Sequence, residues 1–190
     1  MTRSSRDAIV KTAHDLFARL GYHAVGLDHI LSEVGVTKTT FYNHFESKDE
    51  LVAAVLHFHD RWWRDEFQRM LRKHGGDRPR DQLLAVFDAL EHYFTSEEYN
   101  GCFFINVAVQ FPDPKDPAQI AARKHKEAMG DILRELAGYA GAADPAAFAA
   151  EFSMVMEGAY VTAQIQRGLS TVKTGKRLAQ LLVEKHLPLR

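Results

Sequence analysis

GLDHILSEVGVTKTTFYNHFESK, residues 26–48, holds two short amphipathic patterns separated by a glycine. Leu27, Ile30, Leu31 and Val34 recur at helical spacing, which predicts a helix over 27–34. Gly35 follows the last apolar position, where a helix C-terminus favours a residue free to take positive φ. Val36 is an apolar residue in the turn, placed to fill the gap between two crossing helices. Thr37 is an N-cap residue type and predicts a second helix over 38–44. Two short helices joined by a glycine-containing turn make a helix-turn-helix, whose second helix enters the major groove of a duplex while the first crosses the backbone.

Within that second helix Phe41 and Phe45 are four apart and face the core. Lys38, Thr39, Thr40, Tyr42, Asn43 and His44 are left to face outward. Thr37, Lys38, Thr40 and Tyr42 suit phosphate oxygens, whereas Thr39, Asn43 and His44 suit base edges. Ser47 followed by Glu50 has the spacing of a capping box, so a third helix starts at Lys48. Its open N–H groups and the Lys48 ammonium together suit a phosphate.

GVTKTTFYNHFESKDEL, preceded by Phe17, Leu20-Gly21-Tyr22, Asp28, Ile30 and Val34-Gly35, resembles the DNA-binding signature of TetR-family transcriptional regulators. The resemblance covers about the first quarter of the chain and holds its spacing across three helices. It departs at Gly26, where the family usually carries Ser or Thr as helix cap and phosphate contact; glycine still caps, without that side-chain contact. The resemblance implies a dimeric regulator, most often a repressor, with a small-molecule effector.

Composition bounds the alternatives. The 190 residues are 46% hydrophobic, enough for one sizeable core or two small ones. Net charge is −1 overall, and in residues 1–50 six Lys and Arg against seven Asp and Glu again leave −1. That balance argues against a purely electrostatic, sequence-indifferent DNA binder. It is compatible with cations and helix N-termini gathered on one face. Cys102 is the single cysteine, so no intrachain disulfide forms and an intracellular protein is expected. No apolar run approaches the ~20 residues of a membrane helix, and the N-terminus lacks a signal-peptide core. These features lead to the expectation of a cytoplasmic protein with no membrane partner.

Further helices are predicted over 4–20, 48–73, 79–94, 101–111, 117–138, 145–167 and 174–186, nine in all with the two of the motif. Ile9, Ala13, Leu16, Phe17 and Leu20 line the first, and Arg3 and Arg6 at its start are either phosphate contacts or ordinary solvated charges. Leu51, Val52, Val55, Phe58, Trp62 and Phe67 give the buried side of the long fourth helix. The β-branched and aromatic 101–111 has no strand partner anywhere, so a short buried helix is expected there. The fold class is therefore all-α. Residues 1–47 form a helix-turn-helix DNA-binding domain and 48–190 an effector-binding and dimerisation domain, with no flexible linker between them.

One helix-turn-helix reads only a few base pairs, so useful specificity calls for two copies about 34–36 Å apart on a palindromic operator, hence a homodimer. The last two helices have wide apolar stripes and small residues, and an isologous pair of them makes a four-helix bundle. Phe152, Met156, Ala159, Tyr160, Ala163, Leu178, Leu181 and Leu182 are the candidate interface, with closure of the protomer's own core the other reading. Aromatic residues crowd 58–111. Phe58, Trp62, Trp63, Phe87, Tyr93 and Phe103, with Asn106, Gln110 and His125 as polar groups, are candidates to hold a small apolar or aromatic effector, the region where the TetR resemblance also implies one.

An enzyme is the rival class. No two of the ten histidines are spaced i, i+4, and no Cys/His quartet, phosphate-binding glycine loop or nucleophile elbow is present. No metal, cofactor or catalytic residue is expected. Cys102 lies in an apolar run and reads as a buried small hydrophobe, with a redox-sensing thiol the alternative. A DNA-binding protein that answers to no effector is the remaining alternative.

Overall fold

The computed structural model describes residues 4–97 and 99–187. Among them the chain is all-α, with ten helical segments and no strand. These are α1 (Ser5–Leu20), α2 (Leu27–Val34), α3 (Lys38–Tyr42), α4 (Lys48–Gly75), α5 (Pro79–Leu84), α6 (Val86–Thr95), α7 (Phe103–Gln110), α8 (Pro117–Tyr139), α9 (Pro145–Gln166) and α10 (Leu169–His186). The nine expected helices are present; the tenth segment arises because 79–94 is broken at Ala85, between α5 and α6. Neither proline nor glycine marks that break. Ala85 sits at φ −82°, ψ −1°, and both α5 and α6 pack on α10, so tertiary contact overrides a continuous helical pattern. The α10 helix begins at Leu169, not at 174, because Thr171 and Val172 are buried and extend its inner face upstream.

The chain divides into two compact units, one formed by residues up to 62 with 103–124, the other by 63–102 with 125 onward. In the first, Ser4 caps α1 by accepting the Asp7 N–H at 3.2 Å, and Ile9, Val10, Ala13, Leu16 and Phe17 form the buried stripe. Leu20, expected on that stripe, is 46% exposed: it is the last residue of α1, and Gly21 turns the chain away with φ +83°. The α1 helix packs on α2 and α3. Gly35 adopts the left-handed conformation (φ 76°, ψ 33°) and, with Val36, donates to the Leu31 carbonyl, which closes α2 and aims the chain into α3.

The distant α7 belongs to this unit. Its Gln110 side chain accepts the Tyr22 N–H at 3.0 Å, and the Gln110 carbonyl lies 3.0 Å from His23 Nε2. Phe103 stacks on His59 with ring centroids 4.2 Å apart. His59 Nδ1 is 2.8 Å from His14 Nε2, and His14 Nδ1 is 3.0 Å from Asp15 Oδ1. Since the carboxylate only accepts, His14 donates to it from Nδ1, and the His14–His59 contact extends the chain from α1 to α4. Burial draws the Asp15 carboxyl upward, but the hydrogen bonds from Lys11 and His14 outweigh it and leave the group below the usual carboxylate range.

In the second unit α10 packs on α5, α6 and α9. Phe87, Phe94, Phe148 and Phe152 are fully buried. Gly175 faces Phe87 so closely that a Cβ there would overlap the ring, which is why α10 carries a glycine in its middle. Trp63 is buried against Tyr93, whereas Trp62, expected on the inner side of α4, is 42% exposed. Leu51, Val52, Val55 and Phe67 are buried as expected, Phe58 is half-buried, and Leu56, Trp63, Met70 and Leu71 widen the inner side of α4. Cys102 is half-buried, not sequestered: the Lys126 ammonium lies 3.4 Å from its Sγ and pairs with Glu157 at 2.7 Å.

Candidate nucleic-acid interface

The α3 helix is only five residues long, so its stability comes from caps and from one buried face. Thr37 caps it by accepting the Thr40 N–H at 3.2 Å, and the two hydroxyls are 3.0 Å apart. Phe41 and Phe45 are buried, at 0% and 2% exposure, with ring centroids 5.4 Å apart. The helix ends at Tyr42, and Asn43 and His44 follow in a turn that still donates to the Thr39 and Phe41 carbonyls.

With the two phenylalanines inward, the remaining side chains are forced out. Thr37, Lys38, Thr39, Tyr42 and Asn43 are exposed, while Thr40 and His44 are half-buried. Tyr42 is 58% exposed and leans its edge on Phe41 at 5.2 Å, so its hydroxyl is carried on a fixed ring. An exposed row of hydroxyls, an amide and a phenol can donate to phosphate oxygens and meet base edges.

The cations of this region are engaged within the protein. Lys38 Nζ is 2.9 Å from Asp28 Oδ1 on α2, and that hydrogen bond and charge hold the ammonium above its ordinary range. Lys48 is half-buried; its Nζ donates to the Tyr22 carbonyl at 2.9 Å and lies 5.9 Å from the centre of the Phe17 ring. The Arg6 guanidinium stacks over Phe45 at 5.1 Å. Arg3 lies outside the described residues. At the start of α4, Ser47 accepts the Glu50 N–H at 3.1 Å as the capping box requires. The Glu50 carboxylate, however, takes the N–H of Glu46 at 2.6 Å, one residue before the cap. Gly26 caps α2 with no side-chain bond, and open space surrounds the position of its missing Cβ.

The effector candidates fall into the two units. Phe58, Trp62, Phe103, Asn106 and Gln110 belong to the first; Trp63, Phe87, Tyr93 and His125 belong to the second. Several have structural work that a sequence reading missed. Gln110 clamps the turn after α1, Phe87 fills the space left by Gly175, and Phe58 and Phe103 close on His14. The grooves described in the second unit lie elsewhere. One, of about 320 Å³, is lined by Arg80, Leu84, Asp88, Lys176, Gln180 and Glu184, and none of the effector candidates reaches it.

The interface candidates need correction. Phe152, Met156, Ala159, Tyr160 and Ala163 point into the second unit's own core, with exposures of 0–7%. They cannot face a second copy of the chain while this core is closed. Leu178 and Leu182 are half-buried and Leu181 is 52% exposed. The α9 helix is apolar on nearly every side, so periodicity alone did not distinguish its inner from its outer face. The outer face carries Met154 (77% exposed), Gly158, Val161 (41%) and Ile165 (75%).

Comparison with known proteins fits this arrangement. Residues 9–55 match the family model of bacterial regulatory proteins of the tetR family. The chain is 31% identical over 116 residues to the HTH-type transcriptional regulator YjdC of Escherichia coli, an alignment covering 61% of each. It is 32% identical over 135 residues to the HTH-type transcriptional activator FasR of Mycolicibacterium smegmatis, covering 70% of this chain and 60% of that one. The chain thus spans about three fifths of the length of these curated relatives. A crystal structure of a TetR-family transcriptional regulator from Streptomyces coelicolor superposes with a TM-score of 0.87 at 27% identity, over 96% of this chain and 95% of that one. With the capped α2–turn–α3 geometry, the family match over that segment and the agreement of the whole helical chain with a solved member, this protein belongs to the TetR family of transcriptional regulators.

Proposed function

We propose that this protein is a DNA-binding repressor that acts in the cytoplasm as a homodimer on a palindromic operator and is released when a small apolar or aromatic molecule binds residues 48–190. The observation that carries the DNA-binding part is the outward display of Thr39 and Tyr42 on α3 and of Asn43 just after it, while Phe41 and Phe45 anchor the same short segment. Thr37, Lys38, Thr40 and Tyr42 serve the phosphates, and Thr39, Asn43 and His44 the base edges. Lys48 gives one of its three N–H donors to the Tyr22 carbonyl, which leaves donors for a phosphate.

The homodimer reading is supported by the outer face of α9. Met154, Val161 and Ile165, with Gly158 between them, follow helical spacing as an exposed apolar stripe, and Leu181 on α10 is exposed as well. Large exposed apolar residues in a row mark an association face, and glycine there permits close approach of two helices. A second copy is the natural occupant, because one short recognition helix reads too few base pairs alone.

The effector reading is supported by the aromatic residues of 58–111 and by the exposed Trp62. The α4 helix runs without a break from Lys48 to Gly75, so a ligand that favours one disposition of α4 shifts the population of the DNA-binding form. Since FasR is a transcriptional activator, strengthening of DNA binding by the effector is the specific alternative.

Selection of bound duplexes from a random pool tests the first two parts together: a recovered palindrome is the expected result, and failure to retain any duplex at low salt refutes them. A thermal-shift screen of apolar and aromatic metabolites, followed by gel-shift titration with each hit, tests the third. Release is expected, strengthened binding reverses the sign, and a blank screen favours a regulator without an effector.

A further inference from the structure

We infer that Asp28 is a built-in counterion for Lys38, one that DNA phosphate must displace, and that it thereby holds down binding to duplexes of any sequence. This rests on the DNA-binding reading above. Asp28 lies in the first turn of α2 and Lys38 is the first residue of α3, so the pair spans the two helices of the motif. The 2.9 Å contact is open to water on both sides, with the two side chains 63% and 76% exposed. An ion pair so exposed is weak and exchanges readily, which suits a cation that must change partners on docking.

The surroundings sharpen the effect. Lys48 donates to the Tyr22 carbonyl and Arg6 stacks on Phe45, so these neighbouring cations are engaged as well. Residues 1–50 carry a net charge of −1. A free lysine gains affinity for DNA because it releases condensed counterions from the phosphates. Lys38 gains less, because each phosphate contact frees a carboxylate that then faces the polyanion. The cost falls on the phosphate term, which is common to all sequences, and leaves contacts to base edges untouched.

Fluorescence anisotropy of the full chain with a labelled duplex of mixed sequence and with one selected by the wild-type protein, across a salt series, tests this. Asp28→Asn is expected to tighten binding to both duplexes about three- to tenfold at low salt and to steepen the log–log salt slope by about 0.9, the share of one further phosphate neutralised. In a Lys38→Met background the same substitution is expected to gain less than about twofold, because there is no ammonium left to free. An equal gain in both backgrounds, or none in the wild-type background, overturns the inference and leaves the DNA-binding reading standing. Wild-type protein that binds neither duplex overturns both. Asp28→Ser, which removes the charge but keeps a side-chain oxygen in the first turn of α2, is the second variant, and circular dichroism confirms that each variant is folded.

Discussion

The α3 and α9 helices pose the same question, which face turns inward, and the chain answers it in two different ways. In α3 and the turn that follows it the candidates differ in chemistry. Two phenylalanines stand against threonines, a lysine, a tyrosine and an asparagine, so only one orientation buries apolar surface without burying polar groups. In α9 both faces are apolar. Phe152, Met156 and Ala163 on one side compete with Met154, Val161 and Ile165 on the other, and transfer from water favours either. What decides α9 is shape: Phe152 fits between Phe87 and Phe148, with centroids 6.3 and 5.3 Å away. Chemical contrast makes orientation legible along a sequence. Where contrast is missing, packing complementarity decides and is invisible until the partners are assembled.

The largest effect expected from this contrast is at Phe152. Its replacement by Ala should cost the protomer about 3–5 kcal/mol in urea unfolding, the usual loss for a buried aromatic. A variant that keeps its stability and only dissociates the homodimer would return Phe152 to the association face and reverse the assignment of α9.

Next in size are the outward residues of α3 and of the turn that follows it. Asn43→Ala should cost about 1–3 kcal/mol in binding at one operator position and relax preference there, whereas Tyr42→Phe weakens all sites alike. Both variants should melt with the wild-type protein, because neither side chain is buried. A large fall in melting temperature would show that α3 needs its outer face to fold.

Ile165→Asp sits on the exposed side of α9 and sharpens the comparison from the other direction. A single carboxylate on an apolar association face is expected to shift the dimer to monomer in sedimentation velocity, with helical content unchanged. An unaltered sedimentation coefficient would remove α9's outer stripe from the homodimer proposal.

The smallest effect concerns Gly26. It caps α2 from an extended conformation (φ −75°, ψ 158°) with room for a side chain, so Gly26→Ser should add a cap worth only a few tenths of a kcal/mol. The same hydroxyl should strengthen DNA binding modestly if the start of α2 meets a phosphate, and gel shift at low salt reads this out.

Much of the helical order was legible because caps and breaks are local. Ser4, Thr37, Ser47 and Asp144 each accept the backbone N–H three residues on, and Gly35 and Gly21 stop helices where positive φ is needed. The break at Ala85 was not legible, since it answers to α10, which lies some ninety residues further along the chain. The Asp28–Lys38 pair and the Asp15–His14–His59 chain escaped for the same reason. Asp28 and Lys38 are separated by a turn, and His14 and His59 by 45 residues, so no spacing rule brings either pair together.

By itself, then, the amino-acid order determined an all-α chain, the positions of its caps, and a short helix with one aromatic face and one hydrogen-bonding face. These are encoded in caps and in polar–apolar contrast within a few residues, which can be read along the chain without knowing its partners. The tertiary structure alone decided which side of α9 is covered, that Gln110 is a clamp and Lys38 is already paired. Such outcomes depend on groups brought together from distant segments, and on a close-packed interior that accepts one arrangement of similar apolar faces and rejects the others.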